Sequence, residues 1–596
     1  MNKELYDKVT IPRSEYPRPQ FLRKEWLSLN GEWDFCYDDT GIGEEERWYR
    51  PDASAPFDRK ITVPFAFQSN LSGIEDSSVH DVVWYRRVFE IPEGWKGKRV
   101  MLHFGAVDYL SKVWVNGQLM AEHEGGHTPF RTDITPMLSD GRNVIVVRAE
   151  DFSRDVTLPR GKQFWHDRSA SIFYTRTTGI WQSVWLEPLA PVHINKIKLA
   201  PDVDRNEIRI RAFVQGFRPS DALELQLAVS FQGTTIAQDR YVVRNAEEQR
   251  TIGLNDFTDH GMGRLWSPEH PNLYDLRLRL VRGEEVLDEV ESYFGMRKFS
   301  IENGKIYLNN RPYFQRLVLD QGYFPDGILT APSDEALRRD VELAKAMGFN
   351  GVRKHQKTED PRFLYWCDKI GMLVWGEAAN AYEYSEEYVR RFTKEWQEIV
   401  ERDFNHPSIV TWVPLNESWG IPNVLIDKRQ QQHGLAMYHL TKSLDETRLV
   451  VNNDGWEQTT TDLATIHDYE SRQEVLEKRY STTDSALGAM PARRQLFVGG
   501  ANYEGQPILV TEFGGIAFKR SDWEGWGYSG AENEEDFLAR LQAVVSPMLT
   551  SPVVQGYCYT QLTDVEQEIN GLLTFDRQPK APIEAIRAIM TGNREG

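Results

Sequence analysis

Hydrophobic and polar positions follow two different rhythms along this chain, and the change falls near residue 300. Before about residue 190, short runs alternate apolar and polar residues between turn signals: Ile61–Pro64, Trp84–Phe89, Arg99–Phe104, Lys112–Gly117 and Asn143–Arg148. Side chains on a strand point alternately to opposite faces, so such runs predict half-buried strands. The Asn116-Gly117 step inside one of them is a hairpin signal, because both residues tolerate positive φ. Together they predict a β-sandwich of jelly-roll type over residues 1–190. A second β-rich block, 191–298, has immunoglobulin-like length and includes the runs Glu207–Phe213, Leu223–Val229 and Leu276–Val281.

From 299 to 596 strands alternate with helices. Asp334 opens an amphipathic helix to about Met347 that Gly348 caps, and Gly351–His355 reads as a strand. Pro361–Lys369 reads as a helix with proline in its first turn and Gly371 past its end. Met372–Trp375 is a strand and Tyr388 to about Phe404 a helix. This rhythm over nearly 300 residues predicts a (β/α)8 TIM barrel, making the chain a multidomain β plus α/β protein. Tyr313–Leu319, Ile409–Leu415, Ile508–Thr511 and Val554–Tyr559 are assigned to the first, fourth, seventh and eighth barrel strands. Tyr480–Tyr503 lacks periodicity and reads as a long loop over the barrel mouth.

The fourth and seventh strands each deliver a glutamate where an apolar run meets a loop: Asn416-Glu417, and Glu512 ahead of Phe513-Gly514-Gly515. Barrel chemistry collects at the C-terminal strand ends. Cleaving a glycosidic bond needs two carboxyl groups on opposite sides of it, and Glu417 and Glu512 offer such a pair.

With 596 residues, 40% hydrophobic and 27% charged, the chain has the composition of an ordinary multidomain globular protein. A net charge of −19 argues against nucleic acid as a partner and suits a neutral substrate better than a polyanion. No apolar stretch is long enough to span a membrane, and Met1–Lys8 lacks the apolar core of a signal peptide, so a cytoplasmic location is expected. Cys36, Cys367 and Cys558 are widely spaced and read as reduced packing residues. No metal or cofactor is expected, since His467 has no second histidine at ligand spacing. A homo-oligomer remains open.

Several motifs, in order, resemble glycoside hydrolase family 2, which holds β-galactosidases, β-glucuronidases and β-mannosidases. They are Leu29–Phe35, Thr178–Trp181 with Val184–Leu186, Leu265–Tyr274, Phe294–Arg297, Leu308–Pro312, Asn416-Glu417 and Glu512–Gly515. The resemblance implies a retaining exo-β-glycosidase acting on carbohydrate, with Glu417 as general acid/base and Glu512 as nucleophile. It implies that Asn416 binds the sugar 2-hydroxyl, that Arg353 keeps Glu512 ionised, and that Tyr469 donates to it. Glu417 would start protonated, favoured by burial and by the charge of Glu512.

The chain departs from the family pattern at His355–Thr358, at Glu377 within Trp375–Asn380, and at Thr560, where a sugar-stacking tryptophan often stands. The Asn-x-Lys motif that reads a glucuronate carboxylate is missing after it. A neutral glycone, β-galactoside first, is therefore expected ahead of a uronide, although Lys354 and Lys357 speak for an acidic sugar. β-Glucosidase, β-mannosidase and uronidase are the alternatives; a barrel that binds sugar without cleaving it is the alternative of another class. His355, Glu377, Asn453, Asp454, Asp468 and His467 are further candidate sugar-binding residues, with Trp456, Trp523 and Trp526 as candidate stacking walls.

Overall fold

The computed structural model describes residues 11–53, 56–254, 264–520 and 524–592. Its first part is a two-layer β-sandwich. A six-stranded sheet runs in the order 59–63, 31–37, 82–90, 142–150, 110–115, 118–124, and a four-stranded sheet in the order 27–28, 184–189, 99–104, 130–133. Trp33, Phe35, Tyr85, Val147, Leu102, Phe104 and Leu186 fill the space between them, each from an inward-facing position of an alternating run. The Asn116-Gly117 turn has positive φ at both residues, 50° and 82°, which is the twist a tight hairpin needs. Residues 193–294 form a second sandwich of three- and four-stranded sheets around Ile208, Leu225, Leu227, Leu278 and Val290.

The third part carries eight parallel strands: β1 (Gln315–Asp320), β2 (Gly351–Lys354), β3 (Leu373–Glu377), β4 (Ile409–Val413), β5 (Leu449–Val450), β6 (Ala464–His467), β7 (Ile508–Gly514) and β8 (Val554–Thr560). They are hydrogen-bonded in the order β5-β4-β3-β2-β1-β8-β7-β6. Leu415–Asn416 extends β4 and pairs with Asn453–Asp454 beyond β5. Side chains bind β6 across the remaining seam: Gln458 donates to the Thr465 carbonyl, and His467 contacts Asp454. Every residue of β4 and β7 is buried.

Helix boundaries follow their caps. The helix expected from Tyr388 begins at Glu386, because Ser385 accepts the backbone N–H of Tyr388. The helix expected to end near Met347 ends at Ala346, and Gly348 follows with φ +94°. The expectation of a structureless loop over 480–503 is corrected. Thr483–Gly488 is a short helix closed by reciprocal bonds between Thr482 and Ser485, a capping box with serine in the place usually taken by glutamate. All three cysteines are buried and free. Among the described residues no helix is long and apolar enough to cross a membrane.

Candidate active site

At the C-terminal ends of the strands a buried guanidinium organises the site. Arg353, near the end of β2, is fully buried. Its Nε donates to Glu377 Oε2 at 2.7 Å, and its Nη1 lies 2.6 Å from Asp454 Oδ2 and 3.0 Å from Glu512 Oε1. Its Nη2 donates to Asn416 Oδ1 at 2.6 Å. One planar fork therefore fixes groups from β3, β4, β5 and β7 in a single arrangement. Burial works against its charge, and Asp454, Glu377 and Glu512 more than restore it. Asp454 is held well below the usual carboxylate range: burial opposes this, but Arg353 and His467 prevail.

Glu512 also accepts a hydrogen bond from the Tyr469 hydroxyl at 2.7 Å. That hydroxyl lies 3.2 Å from Thr560 Oγ1, and the Tyr469 ring stacks on Tyr528 with centroids 3.4 Å apart. Both oxygens of Glu512 are thus engaged and the carboxylate is fixed in orientation.

Glu417 follows the extension of β4 on a strained turn, with φ of 52° at Glu417 and 63° at Ser418. Such conformations cost about 1–3 kcal/mol each and persist only where surrounding contacts enforce them. Here the β5 side does so. Glu417 N donates to the Asp454 carbonyl at 2.9 Å, Ser418 N to Asn453 Oδ1 at 2.9 Å, and Ser418 Oγ to Glu457 Oε2 at 2.6 Å. The turn aims the Glu417 side chain into the barrel mouth toward His467.

His467 ends β6 and bridges the site. Its Nδ1 is 2.7 Å from Glu417 Oε1 and 3.5 Å from Glu512 Oε2, while its Nε2 is 3.1 Å from Asp454 Oδ2. Burial alone would lower an imidazole, but Glu512 and Asp454 push His467 up to about 10. It is therefore an imidazolium at neutral pH, with both nitrogens donating. Glu417, His467 and Glu512 each present an atom within 4.8 Å of the others, a spacing that could hold a metal ion.

The other sequence candidates divide. Trp456 meets His467 edge to face at 5.5 Å, at the site. Trp526 packs against Tyr528 at 5.5 Å and donates to the Ser171 carbonyl, so it stands at the rim. His355 lies 3.1 Å from both Arg353 Nη2 and Glu377 Oε1; burial holds it well below the usual imidazole range. Glu377 and Asn453, expected as sugar ligands, already hold protein partners. Glu377 is taken up by Arg353 and by Gln356 N, and Asn453 by Ser418 and the Trp456 carbonyl; both sit behind the pocket. Asp454 is fully buried between Arg353, His467 and the Thr511 hydroxyl. Asp468 is consumed by Arg479 and Tyr480. Lys354 pairs with Asp320 and Glu359, and Lys357 with Glu359 and the carbonyls of Gly322 and Leu329, so neither reaches the mouth. Trp523 lies outside the described residues.

Sequence reasoning missed three residues. Tyr528 stacks on Tyr469, and Trp419 sits two positions after Glu417 beside Tyr382 and Phe173. Lys162 arrives from the first sandwich and lies over the Trp419 ring at 5.4 Å. Only the nearness of Trp419 to Glu417 was a usable signal in the sequence.

Three family models match the chain in succession. They are the sugar binding domain of glycosyl hydrolases family 2 over residues 26–187, the family 2 model over 192–297, and the family 2 TIM barrel domain over 299–522. A β-galactosidase of Thermoanaerobacter pseudethanolicus is 32% identical over 347 residues, 56% of this chain and 45% of that protein. The β-glucuronidase of Rattus norvegicus is 26% identical over 463 residues, 72% of this chain and 68% of that one. The chain spans less than half the length of several such relatives. A β-glucuronidase structure from Ruminococcus gnavus shares the fold with a TM-score of 0.75 at 20% identity, covering 97% of this chain and 100% of its own. With all three domain models matched in order, the chain belongs to glycoside hydrolase family 2.

Proposed function

We propose that the protein is a retaining, exo-acting β-glycosidase, with Glu512 as nucleophile and Glu417 as general acid/base. The observation that carries this reading is their approach: one carboxylate oxygen of each lies within 4.8 Å of the other. Carboxyl groups about 5–5.5 Å apart suit direct attack on the sugar carbon, whereas inverting enzymes need about 6.5–9.5 Å to admit a water. Glu512 attacks C1 while Glu417 gives its proton to the departing oxygen, leaving a glycosyl ester on Glu512. Glu417, now ionised, takes a proton from water, which attacks C1 and releases the sugar with its β configuration restored.

Arg353 and Tyr469 each donate to one oxygen of Glu512 and hold it aimed. Asn416 presents Nδ2 as a buried donor without a protein partner, which supports its assignment to the sugar 2-hydroxyl. Exo action is supported by walls from outside the barrel: Gly161 N donates to the Asn380 carbonyl, and Tyr174 bonds Glu568.

Charge balance supports a neutral glycone, β-galactoside first. Arg353 and His467 are already engaged by Asp454, Glu377 and Glu512, which outnumber them. An acidic sugar would add an uncompensated charge to a buried site. Lys354 and Lys357, the sequence's argument for a uronide, are spent elsewhere.

The mechanism is tested by Glu512→Ala with azide. The expected product is the α-glycosyl azide; a β-azide, or retained turnover without azide, overturns the assignment. The glycone is tested on matched nitrophenyl β-glycosides. The galactoside is expected to give the highest kcat/KM, and a uronide preference overturns that part.

A further inference from the structure

The first sandwich sends the segment 152–178 across the barrel mouth, and its contacts fix it there. Gly161 takes φ +60°, and a Cβ at that position would stand 2.1 Å from the Gln356 carbonyl oxygen, so the segment touches the loop after β2 backbone to backbone. Gly161 N donates to the Asn380 carbonyl at 2.9 Å, Tyr382 donates its hydroxyl to the Gly161 carbonyl, and Tyr174 N donates to the Lys162 carbonyl at 2.8 Å. Phe173 and Tyr382 pack on Trp419 from the same side, with centroids 5.9 and 5.1 Å away. The residue after Gly161 is thereby held at the active site although it belongs to another domain.

That residue is Lys162. It is only 7% exposed, yet its ammonium has neither an ion-pair nor a hydrogen-bond partner among the described residues; its one contact is the face of Trp419. Every other buried lysine near the barrel mouth is paired: Lys354 and Lys357 with Glu359, and Lys580 with Asp564. The residue is largely enclosed while its ammonium is left without a protein acceptor, so its N–H donors are free to meet a group that enters the pocket. It also sits close enough to His355 for its charge to help, after burial, to hold that imidazole neutral. Lys162 thus looks onto the pocket between His355, after β2, and Trp419, after β4. Asn416, whose Nδ2 is buried without a protein partner, opens onto the same pocket.

We propose that Lys162 is a specificity-determining residue that hydrogen-bonds a glycone hydroxyl at C3 or C4. This rests on the glycosidase reading above. The first sandwich then completes the sugar pocket, and the barrel without it lacks one donor. A lysine ammonium carries three N–H donors on a flexible stem, so it can serve a hydroxyl and still lie over the indole.

The test is a coupling measurement. Wild type and Lys162→Met are compared on the nitrophenyl β-hexoside that the enzyme turns over best, and on its 3-deoxy and 4-deoxy forms. A hydrogen bond to a charged donor implies a fall in kcat/KM of about 10- to 100-fold on the parent sugar. One of the two deoxy substrates should be cleaved equally by both enzymes, because its missing hydroxyl is the partner. Lys162→Arg, which keeps the charge and donors, should recover part of the loss. An equal loss on all three substrates would mean that Lys162 only packs the loop. No loss on any, or a loss confined to the matched uronide, also overturns the proposal. If the azide product from Glu512→Ala is wrong, the mechanism fails; if that succeeds and the coupling is absent, only Lys162 is misassigned.

Discussion

His467 Nδ1 donates to Glu417 Oε1 at 2.7 Å, and the same imidazole lies 3.5 Å from Glu512 Oε2. One cation thus touches both glutamates of the proposed chemistry and is anchored from behind by Asp454. Without it, three carboxylates would crowd around Arg353 alone. His467→Asn is therefore expected to lower Tm. Its pH dependence follows from the raised value of about 10. A histidine ordinarily titrates near 6.5, so the extra stability is complete below that pH and fades as pH rises through about 10. The Tm gap between wild type and variant should be widest near pH 6 and close toward pH 10.5. A gap that does not change with pH would show that packing, not charge, holds His467.

Glu417→Gln keeps the shape of the turn and removes the proton donor. Substrates with poor leaving groups should lose about 10²- to 10⁴-fold in kcat, the usual worth of general acid catalysis. Dinitrophenyl glycosides, whose leaving groups need little protonation, should lose far less in the glycosylation step. Equal losses in pre-steady-state bursts on both substrates would remove Glu417 from the acid role.

Arg353→Lys tests whether the fork matters as well as the charge. A lysine cannot reach Glu377, Asp454, Glu512 and Asn416 from one planar group. Breaking a buried ion network of this kind costs about 3–5 kcal/mol. The variant should fold with a lowered Tm and show a fall in kcat/KM of at least about 100-fold. Near-wild-type activity would mean that Tyr469 alone suffices to orient Glu512.

Much of this site was legible because it is written locally. The alternation at Arg99–Phe104 matches the observed strand limits, and Glu417 stands where an apolar run meets a turn, whereas Glu512 lies inside β7, which runs on to Gly514. What stayed hidden is set by contacts between distant segments. Glu377 and Asn453 are polar residues at strand ends, as a sugar ligand would be. Only the fold shows that Arg353 and Ser418 have already claimed them. His467 looked like a wall residue because no second histidine stood at ligand spacing, yet its partners are carboxylates from three other strands. Lys162 lies 257 positions before Trp419 and in another domain, and no periodicity links the two.

The contact between the first sandwich and the barrel carries a second titrating group, Glu395, on the helix Glu386–Asp403. Its Oε1 accepts the backbone N–H of His127 at 2.8 Å, while its Oε2 is buried without a partner. Burial pushes this carboxyl up to about 8, and the hydrogen bond from His127 only partly opposes it. The unfolded chain ionises Glu395 near the usual 4.5, whereas the folded protein keeps the proton until about 8. Between those values the unfolded state sheds a proton that the fold retains, so stability falls as pH rises, and the full cost is present above 8. Glu395→Gln keeps an acceptor for His127 and cannot ionise. It should match wild type near pH 4.5 and exceed it at pH 8 by about 2 °C or more in Tm, with the gap opening between. Scans at matched rate are needed, because a chain of this size can unfold irreversibly. Equal Tm values at pH 8 would mean that Glu395 finds a counter-charge or water there and that this contact between the domains does not respond to pH.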